Sequence, residues 1–122
     1  METMSSPSRL PQTFLPLTSV VFEILVTLAG GDRHGYSILT EVRERTGEAL
    51  RPGSLYRAIG RLLDDRLIEE LDERPDREID DERRRYYRLT DLGRRVAEAE
   101  AVRLAAQVRH ARAARLLEKR RD

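Results

Sequence analysis

Residues 51–71 read RPGSLYRAIGRLLDDRLIEEL and contain a predicted helix with two contrasting faces. Pro52 suits the first turn of a helix and Ser54 is a favoured N-cap, so the pattern predicts that the helix begins here. Apolar residues recur at the helical spacing of i, i+4, i+7 and i+8 and form one face: Leu55, Ile59, Leu62 and Leu63. Arg57 and Arg61 fall on the other face.

These two arginines have two interpretations. Most arginines on an exposed helix face are only solvated. The planar guanidinium group, however, also matches the oxygens of a phosphate and the edge of guanine. The formal net charge of the chain is only +1, so binding to a polyanion would depend on a local face of this kind. The segments that precede the helix help to decide between the two interpretations.

The first predicted helix lies in LTSVVFEILVTLAGG, residues 17–31. Thr18 is a suitable N-cap, and the apolar residues that follow are spaced as in a nearly buried helix. Gly30 and Gly31 end it, because glycine tolerates the backbone conformations found just after a helix. The β-branched residues would also allow a strand, but the length of the run favours a helix.

The second predicted helix spans about residues 35–46, with His34 as a turn residue at its start and Gly47 at its end. A short turn, GEALRPGS, joins it to the helix that carries Arg57 and Arg61. Two helices joined in this way form a helix-turn-helix, whose second helix fits the major groove of DNA. The order of the helices therefore favours DNA contact by the two arginines over simple solvation.

A charged loop separates two short predicted strands, LIEELDE at residues 67–73 and RYYRLT at residues 85–90. Such a pair is a hairpin with a long loop, and beside a helix-turn-helix it would act as a wing that contacts the DNA backbone or the minor groove. Arg83 and Arg84 are the candidates for phosphate contact, whereas the acidic residues of the loop would be repelled by phosphates. The alternative is a solvated loop whose ion pairs each contribute little.

Residues 91–119 are predicted to form one long amphipathic helix, in which only Gly93 interrupts the pattern. Its apolar stripe is rich in alanine and must be buried against another surface to be shielded from water. A second copy of the same helix is the simplest such surface. The expected dimer interface consists of the stripe residues Val96, Ala97, Ala101, Leu104, Val108 and Ala111.

The composition of the 122-residue chain limits its other functions. It contains no cysteine, and its two histidines, His34 and His110, are far apart, so we expect no disulfide and no metal site. We also expect no cofactor and no enzymatic activity, because no glycine-rich phosphate loop or nucleophile–base pair is recognisable. No apolar run approaches the roughly 20 residues that span a bilayer, and no secretory signal is recognisable, so a cytoplasmic location is expected.

Three segments together resemble the signatures of the PadR family of transcriptional regulators: RHGYSILTEVRERTG, RPGSLYRAIGRLLDDRLIEE and DDERRRYYRLTDLGRRV. The resemblance covers about residues 17–96, and the single helix after it resembles the branch with a short C-terminal region. It implies a mainly α fold with a small β-hairpin, in which a winged helix-turn-helix domain precedes a long C-terminal dimerisation helix. We therefore expect a flexible arm at residues 1–16, the DNA-binding domain at 17–90 and the dimerisation helix at 91–122.

The resemblance also implies a function. Members of this family are DNA-binding homodimers that act mostly as repressors, and an effector often relieves repression. The expected partners are thus double-stranded DNA with a near-palindromic operator, a second copy of the chain and a candidate small-molecule effector, with no membrane. Tyr36 and Tyr56 lie in family motifs near the DNA-facing side, where phosphate contact and half-buried packing are both open. Ser54 could add a phosphate contact to its capping role.

One alternative keeps the same fold. A winged helix can be an interaction module that binds a protein and not DNA, and the low net charge and the acidic loop favour this alternative slightly. The basic face of the helix that carries Arg57 and Arg61 opposes this alternative, and so do the family motifs. Strong salt dependence of DNA binding would separate the two functions, because each phosphate contact releases counterions.

Overall fold

The computed structural model describes residues 10–71 and 85–117. Within these residues the fold is mainly helical, with one small antiparallel sheet, as the sequence predicts. The elements are a 3₁₀ helix (Pro11–Phe14), α1 (Ser19–Ala29), β1 (Arg33–His34), α2 (Gly35–Thr46), α3 (Pro52–Asp64), β2 (Ile68–Glu70), β3 (Tyr86–Leu89) and α4 (Asp91–Ala113). No described helix is long and apolar enough to cross a membrane.

The ends of the first two helices follow the predicted chemistry. The hydroxyl oxygen of Thr18 accepts a hydrogen bond from the backbone N–H of Val21 and caps α1. Nδ1 of His34 accepts one from the backbone N–H of Ser37, so the histidine has the structural role at the start of α2 that the sequence predicts. Gly47 ends α2 in the left-handed conformation with φ of 73°, which glycine adopts without steric cost.

The start of α3 differs from the prediction. Its N-cap is Arg51, which makes no side-chain capping bond, and Pro52 is the first helical residue. Proline is well suited to that position because its φ is already helical and it has no N–H group to satisfy. Ser54 therefore lies within the first turn, and the prediction that it caps the helix is wrong.

The sheet has the strand order β1-β3-β2, with antiparallel pairing throughout. The strands of the hairpin, β2 and β3, are confirmed in part, because β2 ends at Glu70 and residues 72–84 lie outside the described residues. Strand β1 was not predicted from the sequence, and it pairs Arg33 with Tyr87 and His34 with Tyr86. Two residues are too few to show an alternating pattern, so only the partner strand reveals this one.

Each helix buries one face in the core. The predicted apolar face of α3 is confirmed, since Leu55, Ile59 and Leu62 are buried and Leu63 packs partly against them. Helices α1 and α2 pack on this face, and β2, β3 and α4 close the core from the other side. The buried apolar residues are Ile24, Leu25, Leu28, Ile38, Leu39, Val42, Leu55, Ile59, Leu62, Leu67, Ile68, Tyr87 and Val96.

Helix α4 ends at Ala113, earlier than the predicted residue 119. Arg115 follows with φ of 67°, and the N–H of Leu116 bonds to the carbonyl oxygen of Ala111. This bond is typical of a helix that stops by turning left-handed. Periodicity alone did not reveal the end, because Leu116 keeps the helical spacing although its side chain is exposed in the structure.

A buried carboxylate joins the N-terminal segment to α4. The side chain of Glu100 is 1% exposed. It accepts hydrogen bonds from the backbone N–H of Leu17 at 3.0 Å and from Nε and Nη2 of Arg103 at 2.6 and 2.9 Å. The hydrogen bonds from Arg103 lower the pKa of Glu100, an effect that burial opposes and Leu17 reinforces. Phe14 and Leu15 of the same segment pack against the core, although the sequence places them in the expected flexible arm.

Candidate nucleic-acid interface

The rotational setting of α3 determines which side chains face outward. Leu55, Ile59 and Leu62 are all at most 2% exposed, so the helix cannot rotate without moving apolar side chains into water. Arg57 and Arg61 are exposed on the other side, as predicted. Nη2 of Arg57 lies 3.5 Å from Oγ of Ser54, and within residues 10–71 and 85–117 neither guanidinium forms an ion pair. Both cations are therefore available to an anionic partner.

A shallow groove runs beside the two arginines. It has a volume of about 220 Å³, and α3 forms one wall while the start of α1 forms the other. Its lining residues are Thr18, Val20, Val21, Ser54, Arg57, Ala58 and Arg61. The groove places the hydroxyls of Thr18 and Ser54 close to two cations, a combination of groups that suits the oxygens of a phosphate.

Two arginines of α2 hold the helix-turn-helix in place. Nε and Nη2 of Arg43 both donate to the backbone carbonyl of Leu50, at 2.9 and 2.7 Å, in the turn before α3. Arg45 donates to the carboxylate of Glu23 and to the hydroxyl of Thr27 on α1. From the sequence alone, both arginines fall on the polar side of α2, where solvation is the expected state. Spacing could not reveal their role, because their partners are a backbone carbonyl and a different helix.

The two candidate tyrosines lie in different environments. Tyr36, in the first turn of α2, is 49% exposed, so its side chain is accessible to a partner. Tyr56 of α3 is half-buried and packs against the core. A third tyrosine, Tyr86 of β3, is not a candidate for DNA contact. Its ring meets the ring of His34 edge to face, with 5.3 Å between the ring centroids. Phosphate contact thus remains a prediction for Tyr36, whereas much of the side-chain surface of Tyr56 is covered by packing against the core.

The wing is described only at its base. Arg83 and Arg84, the candidates for phosphate contact, lie outside the described residues. At the base of the hairpin, Nε of Arg88 donates to the carboxylate of Glu69 across the two strands at 3.0 Å. Both side chains are half exposed, so this ion pair contributes little to stability.

The expected dimer stripe divides into two parts along α4. Val96 is fully buried in the core of its own chain, so it has no surface left for a second subunit, and its assignment to the interface is wrong. Ala97 also packs partly against that core. The remaining stripe residues keep exposed or partly exposed surface: Ala101, Leu104, Val108 and Ala111.

Among the described residues, no group of histidine, cysteine, aspartate and glutamate side chains could hold a metal ion.

Comparison with known proteins agrees with this architecture. The model of the transcriptional regulator PadR-like family matches residues 24–99. A PadR family transcription regulator from Clostridium difficile superposes with a TM-score of 0.67 at 27% identity, over 78% of this chain and 96% of that one. A PadR-like transcriptional regulator from Bacillus cereus has the same fold, with a TM-score of 0.64 at 21% identity, over 82% of this chain and 93% of that one.

A longer protein also contains a related segment. An uncharacterised 37.1 kDa protein in transposon TN4556 of Streptomyces fradiae is 38% identical over 78 residues. The match covers 64% of this chain but only 21% of that relative. The chain therefore spans about a fifth of the length of this relative, and the similarity concerns a segment of that protein.

Proposed function

Because the chain belongs to the PadR-like family of transcriptional regulators, we propose that it binds specific DNA sequences as a homodimer and represses transcription. The observation that carries this proposal is the fixed outward direction of Arg57 and Arg61 on α3. The apolar face of α3 is buried against α1 and α2, and the opposite face offers two cations without a carboxylate partner among the described residues. A helix of this kind fits the major groove of DNA.

Recognition is divided between two kinds of contact. A guanidinium group can donate two hydrogen bonds to the O6 and N7 atoms of guanine, or it can bind phosphate oxygens. Arg57 lies in the second turn of α3, near the N-terminal end that reaches base edges in a helix-turn-helix. The groove beside Arg61, Ser54 and Thr18 would take the phosphate backbone. Tyr36, and Arg83 and Arg84 of the wing, are further proposed backbone contacts.

The proposed dimer pairs two copies of the second half of α4. Residues 17–90 would form the DNA-binding domain, residues 91–122 the dimerisation region, and residues 1–16 an N-terminal arm. Two copies of α3 would then enter major grooves about 34 Å apart on a near-palindromic operator. A small-molecule effector that changes the angle between the two domains would break this spacing and relieve repression.

Arg57→Ala is expected to weaken binding to the operator by about 1–3 kcal/mol, which is about 5- to 150-fold. The variant loses a bidentate contact to a base, so its affinity for unrelated DNA should change much less. The probe is a labelled duplex that the wild-type protein enriches from a random-sequence pool. Its affinity is measured by fluorescence anisotropy for the wild type and the variant.

Arg109→Ala is the matched control, because it removes the same charge from an exposed position on α4. Its effect should stay within about twofold, since distant exposed charges are screened at physiological salt. If Arg57→Ala binds the operator as tightly as the wild type, Arg57 does not read a base. If the wild-type protein enriches no sequence at all, the proposal of specific DNA binding is wrong.

A further inference from the structure

Within the described residues, Gly60 has no structural reason to be glycine. It lies inside α3, where glycine costs stability relative to alanine. Gly47 needs its positive φ, and at Gly93 a side chain would collide with the backbone of Leu67. At Gly60 neither applies, because its φ is not in the left-handed region and a Cβ would meet no other heavy atom of residues 10–71 and 85–117 within 4 Å. The fold would therefore accept a larger residue at this position.

Gly60 lies in the middle of the exposed face of α3. It is one turn after Arg57 and directly precedes Arg61, and the open space above its Cα lies on the side away from the buried Leu62. With 3.6 residues per turn, Gly53, Arg57, Gly60 and Asp64 fall on one line along this face. The line is thus low at Gly60, where the backbone itself forms the surface, with Arg57 and Asp64 one turn away on either side along the line and Arg61 next to it in the sequence.

We propose that Gly60 lets the backbone of α3 approach the floor of the major groove, so that DNA occupies the space above its Cα. This inference rests on the proposed function, and it deepens it by naming a residue that sets the depth of insertion. Bidentate hydrogen bonds to base edges require donor–acceptor distances within a few tenths of an ångström of about 2.9 Å. A side chain at Gly60 would push the helix outward and lengthen the contacts of Arg57 and Arg61.

DNA is a better candidate for this space than a protein partner. Two cations, Arg57 and Arg61, lie beside Gly60 on this face, and neither forms an ion pair with a carboxylate in the described part of the chain. The acid on the same line, Asp64, lies one turn further on, at the C-terminal end of α3. A protein surface that covered both guanidinium groups would have to supply matched acids in a fixed geometry. The phosphate backbone and the guanine edges of DNA supply acceptors at every turn.

Gly60→Ala is expected to have opposite effects on folding and on DNA binding. Its thermal unfolding midpoint should rise by about 3 °C, because alanine has the higher helix propensity. Its affinity for the operator should fall by about fivefold, because a methyl group now occupies part of the space proposed for DNA. Gly60→Leu should remain folded and bind the operator about 100-fold more weakly, since the displacement is larger.

The experiment measures thermal unfolding and anisotropy on the duplex that the wild-type protein enriches from a random pool, and on a scrambled duplex. Binding of the Gly60 variants to scrambled DNA should stay within about twofold of the wild type, since loose phosphate contacts do not depend on insertion depth. Ala113→Leu is the control, because it also adds a leucine side chain to an exposed helix position, at the end of α4 and off the proposed dimer stripe. It should leave operator affinity unchanged within about twofold.

Two results would overturn the inference. One is unchanged operator affinity in Gly60→Leu. The other is an equal loss of affinity in Gly60→Leu and Ala113→Leu, which would show that added bulk acts through the whole protein. Failure of the proposed function looks different, because the wild-type protein would then enrich no sequence from the random pool. Gly60→Ala keeps the test valid if leucine at this position impairs folding.

Discussion

Leu104→Glu is expected to convert the proposed dimer into monomers. Leu104 lies in the middle of the accessible stripe on α4, between Ala101 and Val108. In a symmetric dimer the substitution places two carboxylates in an apolar interface, and an unpaired buried charge costs several kcal/mol. Sedimentation velocity should show a single species of monomer mass at concentrations where the wild type is dimeric.

The same variant should lose most of its operator affinity although α3 is unchanged. A dimer binds two half-sites at once, and loss of this avidity costs about 100-fold or more in apparent affinity. Val102→Glu is the matched control, because Val102 is on the same helix, is 69% exposed and lies off the stripe. It should remain dimeric and bind normally. A Leu104→Glu protein that stays dimeric would place the interface elsewhere.

Gly93→Ala is expected to lose about 3 kcal/mol or more of folding free energy. A Cβ at this position would overlap the carbonyl oxygen of Leu67 and would come within 2.9 Å of Cδ1 of Leu89. The carbonyl cannot retreat easily, because it accepts hydrogen bonds from the N–H and the hydroxyl of Thr90 at 3.1 and 3.0 Å. Thr90 in turn caps α4 by accepting from the N–H of Gly93.

Urea denaturation measures this loss, and Gly60→Ala provides the matched control. Both variants replace a helical glycine with alanine, but the space at Gly60 is open. Gly60→Ala should therefore gain about 0.5–1 kcal/mol, whereas Gly93→Ala should lose stability. Equal stability of Gly93→Ala and the wild type would contradict the close approach of α4 to the turn before β2.

The helices could be predicted because their determinants are local. Thr18, His34 and Gly47 mark the ends of helices through contacts within four residues, and each does so in the structure. The apolar face of α3 follows from the helical period, so the outward direction of Arg57 and Arg61 could also be predicted. The arginines are exposed because leucine and isoleucine occupy the other side of the helix.

The features that were missed depend on residues far apart in the sequence. Strand β1 exists only because it pairs with β3, more than 50 residues later. Val96 is apolar at helical spacing, and the spacing cannot distinguish burial in its own core from burial against a second chain. Ser54 is a good capping residue in isolation, but Pro52 begins the helix first. The partners of Arg43 and Arg45 are likewise visible only once the chain has folded.

The most direct test of the account is the salt dependence of DNA binding by the wild-type protein. Fluorescence anisotropy would compare the duplex enriched from a random pool with a scrambled duplex across a series of salt concentrations. If Arg57 reads a base and Arg61, Arg83 and Arg84 of both subunits contact phosphates, binding should be about 1000-fold tighter to the enriched duplex, and log K should fall with log salt with a slope of about −4 or steeper. Equal and weak binding to both duplexes would contradict the account, and the exposed face of α3 would then be only a solvated surface.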